Sequence, residues 1–234
     1  MNIKEMYEAA RPVQISKKRT NKYIWAACNN IIKAKYFDMN DTFRVQTPLN
    51  DFVRHNGAVL LVPNIVNKTM VGLNIRSLEN GRILKFDDTS LPYGIGNLRK
   101  DFKYGDPIFV VEGLGDYAAI KLIDKDIDVL TMQTNEISQN AYEIYASLTN
   151  NIILIPDADE AGRSSAKRMK YRFRELGVTV NIINQYGDFK DTGDLLELVM
   201  QVDKFKGMRK YLQEELRIAT QYYKLMINRY KEEE

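Results

Sequence analysis

Two short, unbroken apolar runs stand out along the chain: Pro107-Ile108-Phe109-Val110-Val111 and Ile152-Ile153-Leu154-Ile155. Runs this short, rich in Val and Ile, do not make a helix; they describe strands buried on both faces. Each run stops at acid, with Glu112-Gly113-Leu114-Gly115-Asp116 after the first and Asp157-Ala158-Asp159-Glu160 after the second. The intervening spacing predicts a helix from Asp116 to about Ile123, a strand over Ile127 to Thr131, and a helix capped by Ser138 that carries Tyr142, Tyr145 and Leu148. Beyond Gly162, Ala166, Met169, Phe173 and Leu176 recur at helical spacing, Gly177 stops that helix, and Val178 to Ile183 reads as another strand. Strands alternating with helices predict an α/β fold, a small parallel sheet covered on both faces over residues 107–184.

The pattern differs on either side. Residues 1–50 read as helix and loop, with Trp25, Ala26, Ala27, Ile31 and Ile32 forming an apolar helix face. From Gly57 the pattern shortens to strands at Ala58 to Val62 and Met70 to Ile75. A Glu79-Asn80-Gly81-Arg82 turn then leads to Ile83-Leu84, which predicts an antiparallel hairpin. At the other end Met208, Leu212, Leu216, Ala219, Tyr223, Met226 and Tyr230 mark one seam of a long helix, which must fold back on the domain or dock against a partner. The expected organisation is a basic α+β region over 1–106, the parallel-sheet domain over 107–200, and a helical segment over 201–234.

In an open parallel sheet neighbouring strands end on one edge, where ligands bind, so Glu112, Asp157 and Asp159 can converge there. Clustered carboxylates repel one another unless a cation neutralises them. Magnesium suits the task, with manganese as a substitute, because it takes hard oxygen ligands and bridges carboxylates to phosphate. Asp-x-Asp by itself reads more readily as a helix-capping pair for the helix near Gly162. The second acidic motif at the end of another buried strand is what favours a metal edge.

Charge sharpens this picture. The chain has 234 residues and a formal net charge of +3. Through Asp106 there are 17 Lys and Arg against 10 Asp and Glu, a net of +7, and the remainder carries a net of −4. A basic first half beside an acidic second half suits a polyanion held against a metal site. Arg76, Arg82, Lys85, Arg99 and Lys100 are candidate phosphate contacts, and the Lys17-Lys18-Arg19-Thr20-Asn21-Lys22 cluster beside Tyr23 is a weaker one. One cysteine, Cys28, and one histidine, His55, offer no disulfide and no Cys-rich zinc site. No apolar stretch approaches the ~20 residues that cross a bilayer, and the amino terminus lacks a secretory apolar segment, so a cytoplasmic protein is expected.

Val110-Val111-Glu112-Gly113 with Asp116, followed by Asp157-Ala158-Asp159-Glu160-Ala161-Gly162-Arg163, resembles the Toprim domain of topoisomerases, DnaG-type primases, some nucleases and recombination proteins. Downstream, Lys190-Asp191-Thr192-Gly193-Asp194-Leu195-Leu196 resembles the Lys-Asp-Pro-Asp-Glu-x-Leu segment that closes the primase Toprim domain, with Thr192 where Pro is usual. Upstream, Gly72-Leu73-Asn74-Ile75-Arg76, Gly81-Arg82, Lys85-Phe86 and Tyr93-Gly94-Ile95-Gly96-Asn97 are similar to the primase run before the first Toprim strand. The resemblance covers about residues 57 to 197.

The resemblance implies a Toprim fold preceded by a primase-type subdomain. It also implies a primase catalytic core that makes short RNA primers on single-stranded DNA from ribonucleoside triphosphates, in a bacterium or a phage-infected host. Asp157 and Asp159 would hold magnesium, with Glu112 either joining them or taking a proton from the attacking 3′-hydroxyl. Asp116, Asp191 and Asp194 would complete the acidic edge, while Lys190 and the upstream cations would position triphosphate or template. The chain has no Gly-rich loop ending in Lys-Ser or Lys-Thr, so a separate replicative helicase is expected as partner. The alternatives are a Toprim-type nuclease, which would aim water at a phosphodiester with the same metal, and a non-catalytic Toprim module that binds nucleic acid.

Overall fold

Strand pairing and helix packing divide the chain into two units, Met1–Leu91 and Pro92–Glu234. The computed structural model describes residues 3–13, 21–46, 52–78, 83–87, 91–132, 137–204 and 210–231. Among these residues no helix is long and apolar enough to cross a membrane.

The first unit holds α1 (Ile3–Ala9), β1 (Arg11–Pro12), α2 (Lys22–Cys28), β2 (Lys35–Gln46), β3 (Phe52–Val66), β4 (Thr69–Ser77) and β5 (Ile83–Asp87). Its strands form an antiparallel sheet in the order β1-β2-β3-β4-β5. Val59, Leu61, Leu73 and Ile75 are buried with Met6 and Ala10 in its core. The α2 helix starts at Asn21, whose side chain accepts from Tyr23 N at 2.9 Å, and Trp25 lies buried in it as its apolar neighbours predict. The reading of residues 1–50 as helix and loop misses β2. Its Asp38, Asn40, Asp41 and Thr42 conceal any alternation, and the strand is specified by pairing with β3, from Lys35↔Leu61 to Gln46↔Phe52. β4 and β5 pair in the predicted hairpin, while its turn at 79–82 lies outside the described residues.

The second unit is built on a sheet of four parallel strands, β6 (Ile108–Val111), β7 (Val129–Thr131), β8 (Asn151–Ile155) and β9 (Thr179–Ile182), in the order β7-β6-β8-β9. The two apolar runs of the sequence are the central pair, β6 beside β8, and every residue of β6 is buried. Ile108, Val110, Ile152 and Leu154 face α4 (Gln139–Leu148) and α5 (Glu160–Glu175). There Phe173 takes Tyr142 and Tyr145 edge-on at ring centroids of 4.8 and 5.8 Å, contacts worth about 0.5–1.5 kcal/mol each beyond their buried area. Leu176, expected on the α5 stripe, is instead its C-cap and is exposed, because Gly177 follows in the left-handed conformation at φ +77° and ends the helix there.

On the other side, α3 (Leu114–Ile123) packs against α6 (Gly193–Lys204), and α7 (Lys210–Lys231) packs against both. The predicted seam of α7 therefore folds back on its own domain. Of that seam Leu212, Ala219 and Tyr223 are buried, Leu216, Met226 and Tyr230 are half-buried, and Met208 lies outside the described residues. Ile227, beside Met226, is buried instead of it, and Lys231 Nζ lies 2.6 Å from Asp124 Oδ2 at the end of α3.

Candidate metal centre at the carboxyl edge of the parallel sheet

Glu112 follows β6 and Asp157 follows β8, and because these strands run parallel with Val111 beside Ile155, the two acids emerge on the same edge. Asp116 lies in the first turn of α3, and Asp191 sits in the loop that enters α6. Asp116, Asp157 and Asp191 each contribute one carboxylate oxygen to a cluster in which all of these atoms lie within 4.8 Å of one another.

Three ties hold the cluster together. Asp116 is buried; its Oδ2 accepts from Gly113 N at 2.9 Å, and its Oδ1 accepts from Gly193 N at 2.7 Å, so one carboxylate joins the starts of α3 and α6. Ala158 N donates to Lys190 O at 2.6 Å, stitching the loop of Asp157 to the loop of Asp191. The third constraint is steric. A Cβ on Gly162 would lie 2.4 Å from Asp157 O, so only glycine lets the first turn of α5 come this close to the backbone of Asp157.

The electrostatics follow from this crowding. Asp157 is half-buried, and its carboxyl is pushed up to about 7 by burial first, then by repulsion from Glu112, Asp116 and Asp191, with Lys190 opposing. Glu112 is also raised, by burial first and then by Asp159 and Asp191. Thr131 Oγ1 donates to Glu112 O at 2.7 Å and fixes the backbone from which that side chain leaves the strand. Lys190 sits among these groups and is raised by Asp157 and Asp159. A divalent cation bound by Asp116, Asp157 and Asp191 would offset both the burial and the mutual repulsion that raise Asp157, so the donor set fits a hard metal ion.

The other residues expected at the site take distinct places. Asp159 is outside the three-carboxylate cluster. Its Oδ1 accepts from Gly162 N at 2.8 Å as the N-cap of α5, and its Oδ2 lies 3.5 Å from Lys190 Nζ. The cap lowers its carboxyl below the usual range, and Lys190 and Arg163 add to the effect. Asp194 Oδ2 accepts from Lys190 N at 2.7 Å and shapes the loop that carries Asp191. Arg99 lies at the opposite edge of the sheet, where its Nε is 2.6 Å from buried Asp128 and its Nη2 3.1 Å from Asp106, both just ahead of strands. Lys100 is exposed beside it. In the first unit, Arg76 stacks on the Tyr23 ring at 4.0 Å, and burial lowers its pKa. Lys85 lies on β5 with its side chain outside the described residues, as are Arg82 and residues 17–20 of the basic cluster.

Residues 109–196, from β6 into α6, match the family model described as Toprim-like. That stretch of the chain is thus similar to the Toprim-like family. No curated protein sequence matches the chain. Solved structures share its fold at low identity. The primase fragment of the bacteriophage T7 primase-helicase protein aligns with 12% identity and a TM-score of 0.57, over 87% of this chain and 77% of that one. The Escherichia coli primase catalytic core aligns with 20% identity and a TM-score of 0.51, over 76% and 58%. The Aquifex aeolicus primase, with its zinc-binding and RNA polymerase domains, aligns with 16% identity and a TM-score of 0.53, over 73% and 42%. The chain thus spans less than half the length of the Aquifex structure. Its fold is that of a primase catalytic core.

Proposed function

We propose that this chain is a primase-type nucleotidyltransferase core that joins ribonucleotides on single-stranded DNA. The observation that carries the reading is the cluster of Asp116, Asp157 and Asp191 at the carboxyl edge of a primase-type parallel sheet. Asp157 and Asp191, with buried Asp116 behind them, would hold magnesium or manganese. When bound, such an ion lowers the pKa of a 3′-hydroxyl and offsets charge on a triphosphate and its pyrophosphate leaving group.

The remaining steps belong to the protein's own side chains. Glu112, at the same edge and raised by burial, would accept the proton of the attacking 3′-hydroxyl. Lys190, exposed and already held at Asp159, presents a cation at the rim of the cluster for the phosphates of the incoming nucleotide. Asp159 fixes the direction of both α5 and Lys190, which makes it the hinge between scaffold and site. The template is expected to track the exposed cations, with Lys100 among them, and a replicative helicase is the partner expected to open the duplex. The test is synthesis of labelled dinucleotide and short RNA on single-stranded DNA with magnesium and four ribonucleotides, comparing the wild type with Asp157→Asn and Asp191→Asn. Product from the wild type and none from either variant supports the assignment; wild-type rates in either variant refute it.

A further inference from the structure

The loop motif Lys190-Asp191-Thr192 departs from the primase pattern at Thr192, and the structure gives that position a specific use. Thr192 is fully buried, and its Oγ1 donates to Gln185 Oε1 at 3.2 Å. The same Oε1 accepts from the Tyr223 hydroxyl of α7 at 2.7 Å, while Gln185 Nε2 donates to Pro156 O at 2.6 Å. Tyr223 is itself fully buried and receives Tyr186 N at 3.3 Å. One amide therefore joins three segments: the residue before Asp157, the residue after Asp191, and the carboxy-terminal helix.

The arrangement brackets both cluster acids. Asp157 is held on its far side by Ala158 N on Lys190 O, and on its near side by Pro156 O on Gln185. Asp191 is held on its near side by the Lys190 carbonyl and on its far side by Thr192 on Gln185. Two loops joined at a single point can pivot about it, whereas two loops joined on both sides of the functional residue keep a fixed separation. Both Gln185 Oε1 partners are buried hydroxyls, so loss of the amide removes the acceptor they share, which makes the clasp costly to open.

We infer that Gln185, clamped by Thr192 and by Tyr223 of α7, is a positioning residue that sets the separation of Asp157 and Asp191 and so the cation affinity of the cluster. The inference rests on reading that cluster as a divalent-cation site. It assigns α7 a role in the site although the helix contributes no acid to it. It also accounts for Thr192, because a proline ring at that position has no hydroxyl to offer Gln185.

The test is Mn²⁺ binding to the full chain followed by electron paramagnetic resonance, at a temperature where every variant is folded by circular dichroism. Gln185→Met keeps the length of the side chain and removes its donor and acceptor; Tyr223→Phe and Thr192→Val each remove one hydroxyl. Gln185→Met is expected to weaken Mn²⁺ binding about tenfold and to broaden the bound spectrum, the size of effect that partners of metal ligands exert. Tyr223→Phe is expected to weaken binding less and to add nothing once Gln185 is Met. Phe173→Leu, a core change on the opposite face of the sheet, serves as the control that lowers stability without moving Mn²⁺ affinity. Affinity within twofold of wild type in both Gln185→Met and Tyr223→Phe, or an equal loss in Phe173→Leu, overturns the positioning role. Absence of any Mn²⁺ binding by the wild type, or binding untouched by Asp157→Asn, overturns the metal reading itself.

Discussion

Removing the charge of Asp157 should stabilise the metal-free protein at neutral pH, because that carboxylate is held against its neighbours. Its carboxyl rises from an ordinary value of 3.8 to about 7, through burial and the repulsion of Glu112, Asp116 and Asp191. A group whose folded pKa is raised lends stability below its unfolded pKa and loses that contribution as pH climbs through the folded value. The wild type should therefore lose stability steadily between about pH 4 and pH 7, and Asp157→Asn should lose less, keeping only the smaller contribution of Glu112. Taken at face value the shift corresponds to ~4 kcal/mol; solvent screening of a half-exposed group reduces this to about 2 kcal/mol. For a unit of this size that is roughly 4–8 °C in Tm at pH 8. Far-UV circular dichroism is the appropriate probe, since the second unit has no tryptophan of its own, Trp25 of the first unit being the only one. With chelator present the variant should melt higher than wild type at pH 8 and level with it near pH 4. With Mn²⁺ at ~100 times its Kd the order should reverse, because the wild type gains about 2.7 kcal/mol from the ion and the variant does not. An Asp157→Asn protein that melts at or below the wild type in chelator at pH 8 would refute the claim that these carboxylates are forced together.

Changes at four further positions separate scaffold from chemistry. Asp159→Ala should lower Tm by roughly 2–4 °C through loss of the α5 cap, whereas Asp159→Asn should keep the cap and Tm while slowing nucleotidyl transfer, so melting curves and priming rates together assign its part. Gly162→Ala should abolish Mn²⁺ binding measured by electron paramagnetic resonance, since its methyl would displace the backbone of Asp157. Arg99→Ala should cost about 2–3 kcal/mol by leaving buried Asp128 with its backbone bond alone, and should leave the salt dependence of single-stranded DNA binding unchanged. Lys100→Ala should reduce that salt slope by about one if the side chain neutralises a phosphate, as read by fluorescence anisotropy across a salt series.

The carboxyl edge was legible in the sequence because buried parallel strands announce themselves as unbroken apolar runs, and the acids that follow such runs must share an edge. Asp116 and Asp191 could be named for the same edge through the motifs around them. The geometry within the edge was not legible. Asp-x-Asp is compatible with a metal pair as well as a helix cap, and the position of Gly162 N decides that Asp159 takes the cap. The place of Arg99 at the opposite edge was not legible either, since it is set by pairing with Asp106 and Asp128, which precede β6 and β7. Gln185 and Tyr223 carried no local signal at all. Their roles arise from contacts between segments far apart in the chain, and the single clue was Thr192 in place of the usual proline. β2 escaped for a similar reason, as its pairing with β3 outweighs a polar, weakly alternating sequence.

The most direct test of the central claim asks what the acidic cluster activates, a sugar hydroxyl or water. The measurement is product analysis on single-stranded DNA with magnesium and one labelled ribonucleotide, the first nucleotide being supplied either intact or as its 3′-deoxy form, with the replicative helicase added in a parallel reaction. The account predicts a labelled dinucleotide from the intact nucleotide, none from the 3′-deoxy form, none from Asp157→Asn, and a template of unchanged length. A template shortened in the absence of nucleotides, with no dinucleotide under any condition, would contradict it and assign the cluster to hydrolysis.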